Sequence, residues 1–177
     1  RELALLYEIT AYLGEHTTVE AVCNGVLVKL RHQLGAPAGV VRLFEAATST
    51  LDIAVNHNMP DQFITAEARL PVGACLCSEV ARHGSSIAQD LIQSAPVMMS
   101  MQCCKQAGYA AMTAIPIRSK KHAIGVLNLF FRDQRIISPH EIRLLEAIGQ
   151  HLGVTIDNLR LVVREKEMAV SEERNLL

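Results

Sequence analysis

Four of the five cysteines in this sequence are grouped, and cysteine is its residue type with the widest chemistry. Cys75-Leu76-Cys77 and the adjacent pair Cys103-Cys104 fall in one irregular stretch, while Cys23 stands apart. An odd cysteine count does not close a disulfide framework, and a reducing compartment leaves thiols open to metal ligation or redox exchange. Four converging thiolates could hold zinc at about 2.3 Å per bond, or an iron–sulfur cluster. The spacing is not the Cys-x-x-Cys of a structural zinc site, and neighbouring cysteines point in different directions. Cys75, Cys77, Cys103 and Cys104 are therefore the candidate ligand, redox and metal residues, with thiol exchange and plain burial as small hydrophobes standing beside metal binding. The chain leaves a sheet near Leu70 and returns near Tyr109, so the two halves of the segment should cover the same face and bring both cysteine pairs into one pocket wall.

Other side chains in the same stretch have a chemical and a bland reading. Met98, Met99 and Met101 could line an adaptable pocket, but a helical methionine cluster is more often core. His83 could ligate a metal, and Arg82, Lys105 and Arg69 could contact an anion; solvated surface roles suit all four. Asp90 could cap a segment or bond a ligand.

The elements that must position these residues are legible on either side. Leu3, Leu6, Ile9 and Leu13 recur at helical spacing and predict a helix over Glu2 to Gly14. Thr17-Thr18-Val19-Glu20 has the form of a capping box, with the Thr17 hydroxyl taking the third backbone N–H. The helix that follows places Cys23 on its apolar face, a core position, and Gly35 with Pro37 ends it. Val40 to Ala46 and Leu51 to Asn56 predict a hairpin. Short pieces follow: a helix near Pro60 to Ala66, another across Cys77 to His83, a strand near Ser86 to Ala88, and a helix ending before Gly108. Ala110 to Ile117 and Ala123 to Phe131 are strands apolar on both faces, so their sheet should be covered on both sides. The residues from Arg118 to His122 read as the loop between them. Ser138-Pro139-His140-Glu141 is a second capping box, and no proline follows it, which predicts one helix to Leu177. Along it Leu152, Ile156, Leu159 and Val163 begin a 4-3-4-3 spacing that reads as a marginal parallel coiled-coil homodimer, weakened at Lys166 and Glu173, with a solvated surface helix as the alternative. Leu3, Leu6 and Ile9 would assist the dimer.

The bulk numbers exclude several classes. With 17 basic and 18 acidic residues and no basic stripe, nothing supports a nucleic-acid partner. The longest apolar runs fall well short of the roughly 20 residues of a membrane span, and nothing at Arg1 looks like a signal peptide, so direct membrane insertion is not expected and the cytoplasm is the expected compartment. Any membrane anchor would belong to other parts of a parent protein.

The order helix, helix, hairpin, irregular middle, two strands and long helix resembles a GAF domain. Ala114-Ile115-Pro116-Ile117 followed by Ile124-Gly125-Val126-Leu127-Asn128-Leu129 is similar to that family's "A-x-P-[IL] … G-V-L-x-L" strand pair. The resemblance implies an α+β fold: an antiparallel sheet of about five to six strands, helices on both faces and a long C-terminal signalling helix. Residues 1–160 would form the sensory domain and residues 161–177 a coiled-coil linker. The tail Glu172-Glu173-Arg174-Asn175-Leu176-Leu177 is similar to the segment before the phosphoacceptor helix of nitrate/nitrite-responsive (NarX-like) sensor histidine kinases. That implies a kinase core in cis, lying outside this sequence: none of the seven histidines has a matching His-Asp context, and there is no P-loop.

GAF domains take many ligands, so the resemblance leaves the small ligand open. The Asn-Lys pair of the cyclic-nucleotide subset is missing, since Leu129 follows Asn128, and neither Cys-His nor Cys-x-x-Cys-His occurs for bilin or c-type haem. Two functions remain. One is a non-catalytic sensory and dimerisation module whose parent is a histidine kinase. The other is a cysteine-dependent GAF-fold enzyme such as a methionine sulfoxide reductase, with Cys77 and Cys103 or Cys104 as reactive and resolving thiols; that family's pocket uses tryptophan, which this sequence lacks.

Overall fold

The computed structural model describes residues 1–74, 77, 79–80, 87–90 (backbone alone), 106–120, 122–135 and 137–176. The chain opens with α1 (Glu2–Glu15) and α2 (Val19–Leu34). The cap of α2 is Thr18 rather than Thr17: Thr18 has the extended backbone (φ −115°, ψ 144°), and its hydroxyl accepts from the Ala21 N–H at 3.2 Å. That shift leaves Glu20 one position short of the reciprocal contact, so the expected box reduces to a single cap. The helix ends where expected, with Gly35 left-handed at φ 66° and its N–H bonded to the Arg31 carbonyl.

Six strands follow: β1 (Ala38–Glu45), β2 (Thr50–His57), β3 (Arg69–Pro71), β4 (Ile87–Asp90), β5 (Ala111–Ser119) and β6 (His122–Phe131). A short helix, α3 (Asp61–Glu67), precedes β3. The strands form one sheet in the order β3-β2-β1-β6-β5-β4, each pair antiparallel. The β5–β6 turn is tighter than the sequence suggests: Ser119 pairs with His122, and Lys120 takes a left-handed φ of 53°. At the centre, β6 passes so close to β1 that a Cβ on Gly125 would lie 2.0 Å from the Arg42 carbonyl oxygen. The absence of a side chain is what lets these strands meet.

The last element, α4 (Pro139–Asn175), carries the capping box read from the sequence. Ser138 Oγ accepts from the Glu141 N–H at 3.2 Å, and the Ser138 N–H donates to Glu141 Oε2 at 2.9 Å. The bond from the Ser138 backbone lowers the Glu141 pKa below its ordinary value against the opposing effect of burial; the Ser138 hydroxyl and Arg135 add to the lowering. Ser138→Ala should cost about 1 kcal/mol. A depressed carboxyl pKa stabilises the fold above the unfolded value, and the gain is lost as pH falls through the folded one. Thermal melts of Glu141→Ala against the parent should therefore show a gap at neutral pH that closes in acid; a gap constant with pH would count against the box.

One sheet face is covered by α1, α2 and α4, with Ile9, Val26, Leu127, Leu129, Leu145 and Ile148 at the heart of that layer. Leu152 and Ile156 belong here too, each fully buried inside the protomer. They correct the expected dimer seam, because a side chain with no accessible surface has none to give a partner. Ile9 is likewise internal, whereas Leu3 and Tyr7 are exposed on α1 and Val163 on α4 is 53% exposed. Leu159 is partly buried against the same core. From Leu161 to Leu176 every residue is exposed, so α4 runs on past the body of the domain.

Candidate functional site

The opposite sheet face holds a second apolar layer, covered among the described residues by α3 and by Met59, Cys77, Val80 and Tyr109. Alternation along β1 points Val40 and Arg42 to this side, and along β6 it points Val126, Asn128 and Phe130 there. Met112 and Ala114 on β5 complete the floor, while Met59, Phe63, Cys77, Val80 and Tyr109 come down from above. Phe63 meets Phe130 edge-on at 6.0 Å, and Tyr109 tilts against Phe130 at 5.6 Å. A hollow of about 60 Å³ opens between α3 and Gln106–Ala107 at this edge.

Three buried polar side chains interrupt the layer. Asn128, 1% exposed, donates from Nδ2 to Cys77 Sγ at 3.2 Å and lies 3.9 Å from Met112 Sδ; the Cys77 thiol faces Asn128 Oδ1 at 3.6 Å. Arg42, also 1% exposed, donates from Nη1 to the Glu67 carbonyl and from Nη2 to Glu67 Oε2, both at 2.7 Å. Its guanidinium sits 5.7 Å from the centre of the Phe63 ring. The covering segment is tied down where it leaves β2. The Tyr109 hydroxyl donates to the Asn58 carbonyl, Asn58 Nδ2 donates to the Pro37 carbonyl, and Arg31 Nη1 lies 3.1 Å from His57 Nδ1. A guanidinium can only donate, so His57 Nδ1 is the unprotonated acceptor, and burial followed by the Arg31 charge lowers the His57 pKa.

Of the four clustered cysteines, Cys77 stands in this layer, 8% exposed, and Cys75, Cys103 and Cys104 lie outside the described residues. So do Arg82, His83, Met98, Met99, Met101 and Lys105; of the expected helices across Cys77–His83 and before Gly108, Cys77, Glu79, Val80 and Gln106 are described, and each is helical, while Asp90 is described by its backbone in β4 alone. A zinc or iron–sulfur site at the cysteines thus rests on residues outside the description. Cys23 is a core residue of the helical face, as its position on α2 predicts, and burial pushes its thiol up to about 12, with Arg160 acting weakly the other way. Arg69 is largely exposed, 3.4 Å from Asp52. Sequence reasoning missed Arg42, Glu67 and Asn128. The signal was available: Arg42 and Asn128 each sit mid-strand in runs apolar on both faces.

A family model described as GAF domain matches residues 16–157, most of the chain and all six strands. The chain belongs to the GAF family. The fold of this GAF domain recurs in solved structures of low sequence identity. The GAF domain of a phosphoenolpyruvate-protein phosphotransferase from Coxiella burnetii is 19% identical, with a TM-score of 0.78 over 92% of this chain and 96% of that one. A domain of a putative two-component sensor histidine kinase from Sinorhizobium meliloti is 16% identical, with a TM-score of 0.69 over 85% and 99%. Free methionine-R-sulfoxide reductase from Neisseria meningitidis, solved with its substrate, is 15% identical, with a TM-score of 0.75 over 91% of each chain. No curated protein matches the chain significantly. Among the described residues no helix is long and apolar enough to cross a membrane, and no group of three or more His, Cys, Asp or Glu converges as a metal site would require.

Proposed function

We propose that this GAF domain is a cytoplasmic sensory and dimerisation module of a sensor histidine kinase of the nitrate/nitrite-responsive type. A change at the α3-covered face is relayed through α4 to a kinase core in cis. One observation carries the reading: α4 is fixed to the sheet at one end and free at the other. A Cβ on Gly149 would lie 2.3 Å from the Pro116 carbonyl oxygen, and one on Gly153 would lie 2.1 Å from that of Arg118, so the helix rests directly on the β5 backbone. Ser119 Oγ donates to Asp157 Oδ2 at 3.0 Å further along. β5 therefore touches the candidate site with Met112 and Ala114 and touches the outgoing helix with its backbone. Beyond the body, Leu161, Val162, Val163, Met168 and Val170 are exposed apolar residues on a projecting helix, which a second copy would cover.

Two measurements test this. A chain ending at Arg160 should stay folded and be monomeric in sedimentation, while the full chain dimerises; loss of cooperative melting in the shortened chain would show that the tail belongs to the core. Joined to a histidine-kinase core through α4, the domain should set autophosphorylation according to the heptad phase of the junction. Insertion of one heptad should preserve the output, and insertion of three or four residues should change it. Output blind to the phase would sink the relay. The rival reading, a cysteine-dependent sulfoxide reductase, is favoured by the likeness to the Neisseria enzyme and by Cys77 in the site layer. Turnover of free methionine sulfoxide with dithiothreitol decides it.

A further inference from the structure

Among the described residues, the site face carries one buried donor without a partner and one buried amide whose partners are sulfur atoms. Among the described residues, Arg42 Nε is the buried side-chain donor with no hydrogen-bond partner. Glu67 engages the guanidinium through one carboxylate oxygen on Nη2 and its backbone carbonyl on Nη1, leaving the Nε–H edge open. A carboxylate lying along that edge would take Nε and Nη2 together, the stronger two-point geometry. The Asn128 amide, in turn, meets sulfur, a weak acceptor and weak donor. The register brings the two groups together: Val40 faces Asn128 and Arg42 faces Val126 across β1 and β6. Arg42 and Asn128 are thus diagonal neighbours on one face, about 7–8 Å apart along the backbone. Phe63, whose ring centre lies 5.7 Å from the guanidinium, and Val126 belong to the same apolar layer.

We propose that this face binds a small carboxylate metabolite that displaces Glu67 from Arg42. Its carboxylate takes the Nε and Nη2 edge, and a polar group a few bonds away takes the Asn128 amide. The exchange follows from charge. A buried guanidinium needs one negative partner, and a second carboxylate added beside Glu67 would bury an uncompensated charge. Glu67 is the last residue of α3, directly before the turn into β3. Its release unlatches α3 from β1, which is the local change that the sensory reading requires. The inference rests on that reading for its choice of face.

The test uses the full chain labelled with 15N-arginine and titrated with acetate, succinate and glutarate, with the matching amides as neutral isosteres and sodium chloride as the ionic control. The Arg42 Nε–H resonance should move saturably with the carboxylates and stay still with amides and salt. Glu67→Gln, which keeps the shape and removes the competing charge, should tighten the carboxylates at least about tenfold. The charge-free pair Arg42→Met/Glu67→Met should fold and, by titration calorimetry, bind none of the carboxylates that the parent binds by the same measurement. Should Glu67→Gln fail to fold, the parent titration and the double variant still decide. An Nε–H resonance unmoved by all three acids, or moved equally by their amides, overturns the proposal. Carboxylate binding without any effect on a fused kinase would overturn the sensory reading and leave the ligand class standing; the reverse result would overturn the ligand class alone.

Discussion

Arg42→Met should destabilise the fold by about 3–5 kcal/mol, whereas Arg42→Met combined with Glu67→Met should cost little or even stabilise it. The single change strands the Glu67 carboxylate, 7% exposed, with no other cation paired to it among the described residues. Water cannot reach it without opening α3, so the desolvation penalty falls on folding in full. The double change removes both charges and fills the same space with apolar, adaptable side chains against Phe63. Urea unfolding of the four-member cycle measures the coupling directly. Equal destabilisation by the single and the double variant would show that the pair is no more than packing. A pair that can be replaced by methionines without loss of stability is not retained for stability, and that outcome would direct attention to binding.

How much of this was legible follows from what kind of signal each feature leaves. The helical face was readable because periodic apolar positions on α1, α2 and α4 all serve one layer, and hairpin and box signatures are local. The fold followed from their order. The seam assignment failed at Leu152 and Ile156 for a physical reason: an apolar stripe marks what is buried and does not say by whom. In α4 the same stripe serves the sheet up to Ile156 and loses its cover beyond Arg160. The site was less legible because attention went to cysteine, the reactive type, and away from arginine in the wrong place. In Val40-Val41-Arg42-Leu43-Phe44 a charge stands where both faces are apolar, which forces a buried partner. That partner, Glu67, lies on another element, and nothing local to β1 could name it.

Gly153→Ala should be destabilising by roughly 2 kcal/mol or more, although alanine is the better helix former by about 1 kcal/mol. The sign is decided by what the new methyl group meets. Its carbon would lie 2.1 Å from the oxygen, 2.4 Å from the carbonyl carbon and 2.7 Å from the nitrogen of Arg118, all backbone atoms that cannot swing aside as a side chain can. Arg118 is also where the β5–β6 register shifts, so the clash falls on an irregular ladder with bonds to lose. Relief requires α4 to lift from β5, straining the Ser119–Asp157 bond one turn further on. Gly14 provides the contact-free control: it lies in the last turn of α1, and a Cβ there meets nothing within 4 Å, so Gly14→Ala should be neutral or stabilising by less than the full interior helix-propensity gain. Chemical unfolding of both variants separates propensity from contact. If Gly153→Ala is as stable as Gly14→Ala, the helix does not rest on the strand as described. If it is destabilised yet a fused kinase still responds, β5 supports α4 without signalling through it.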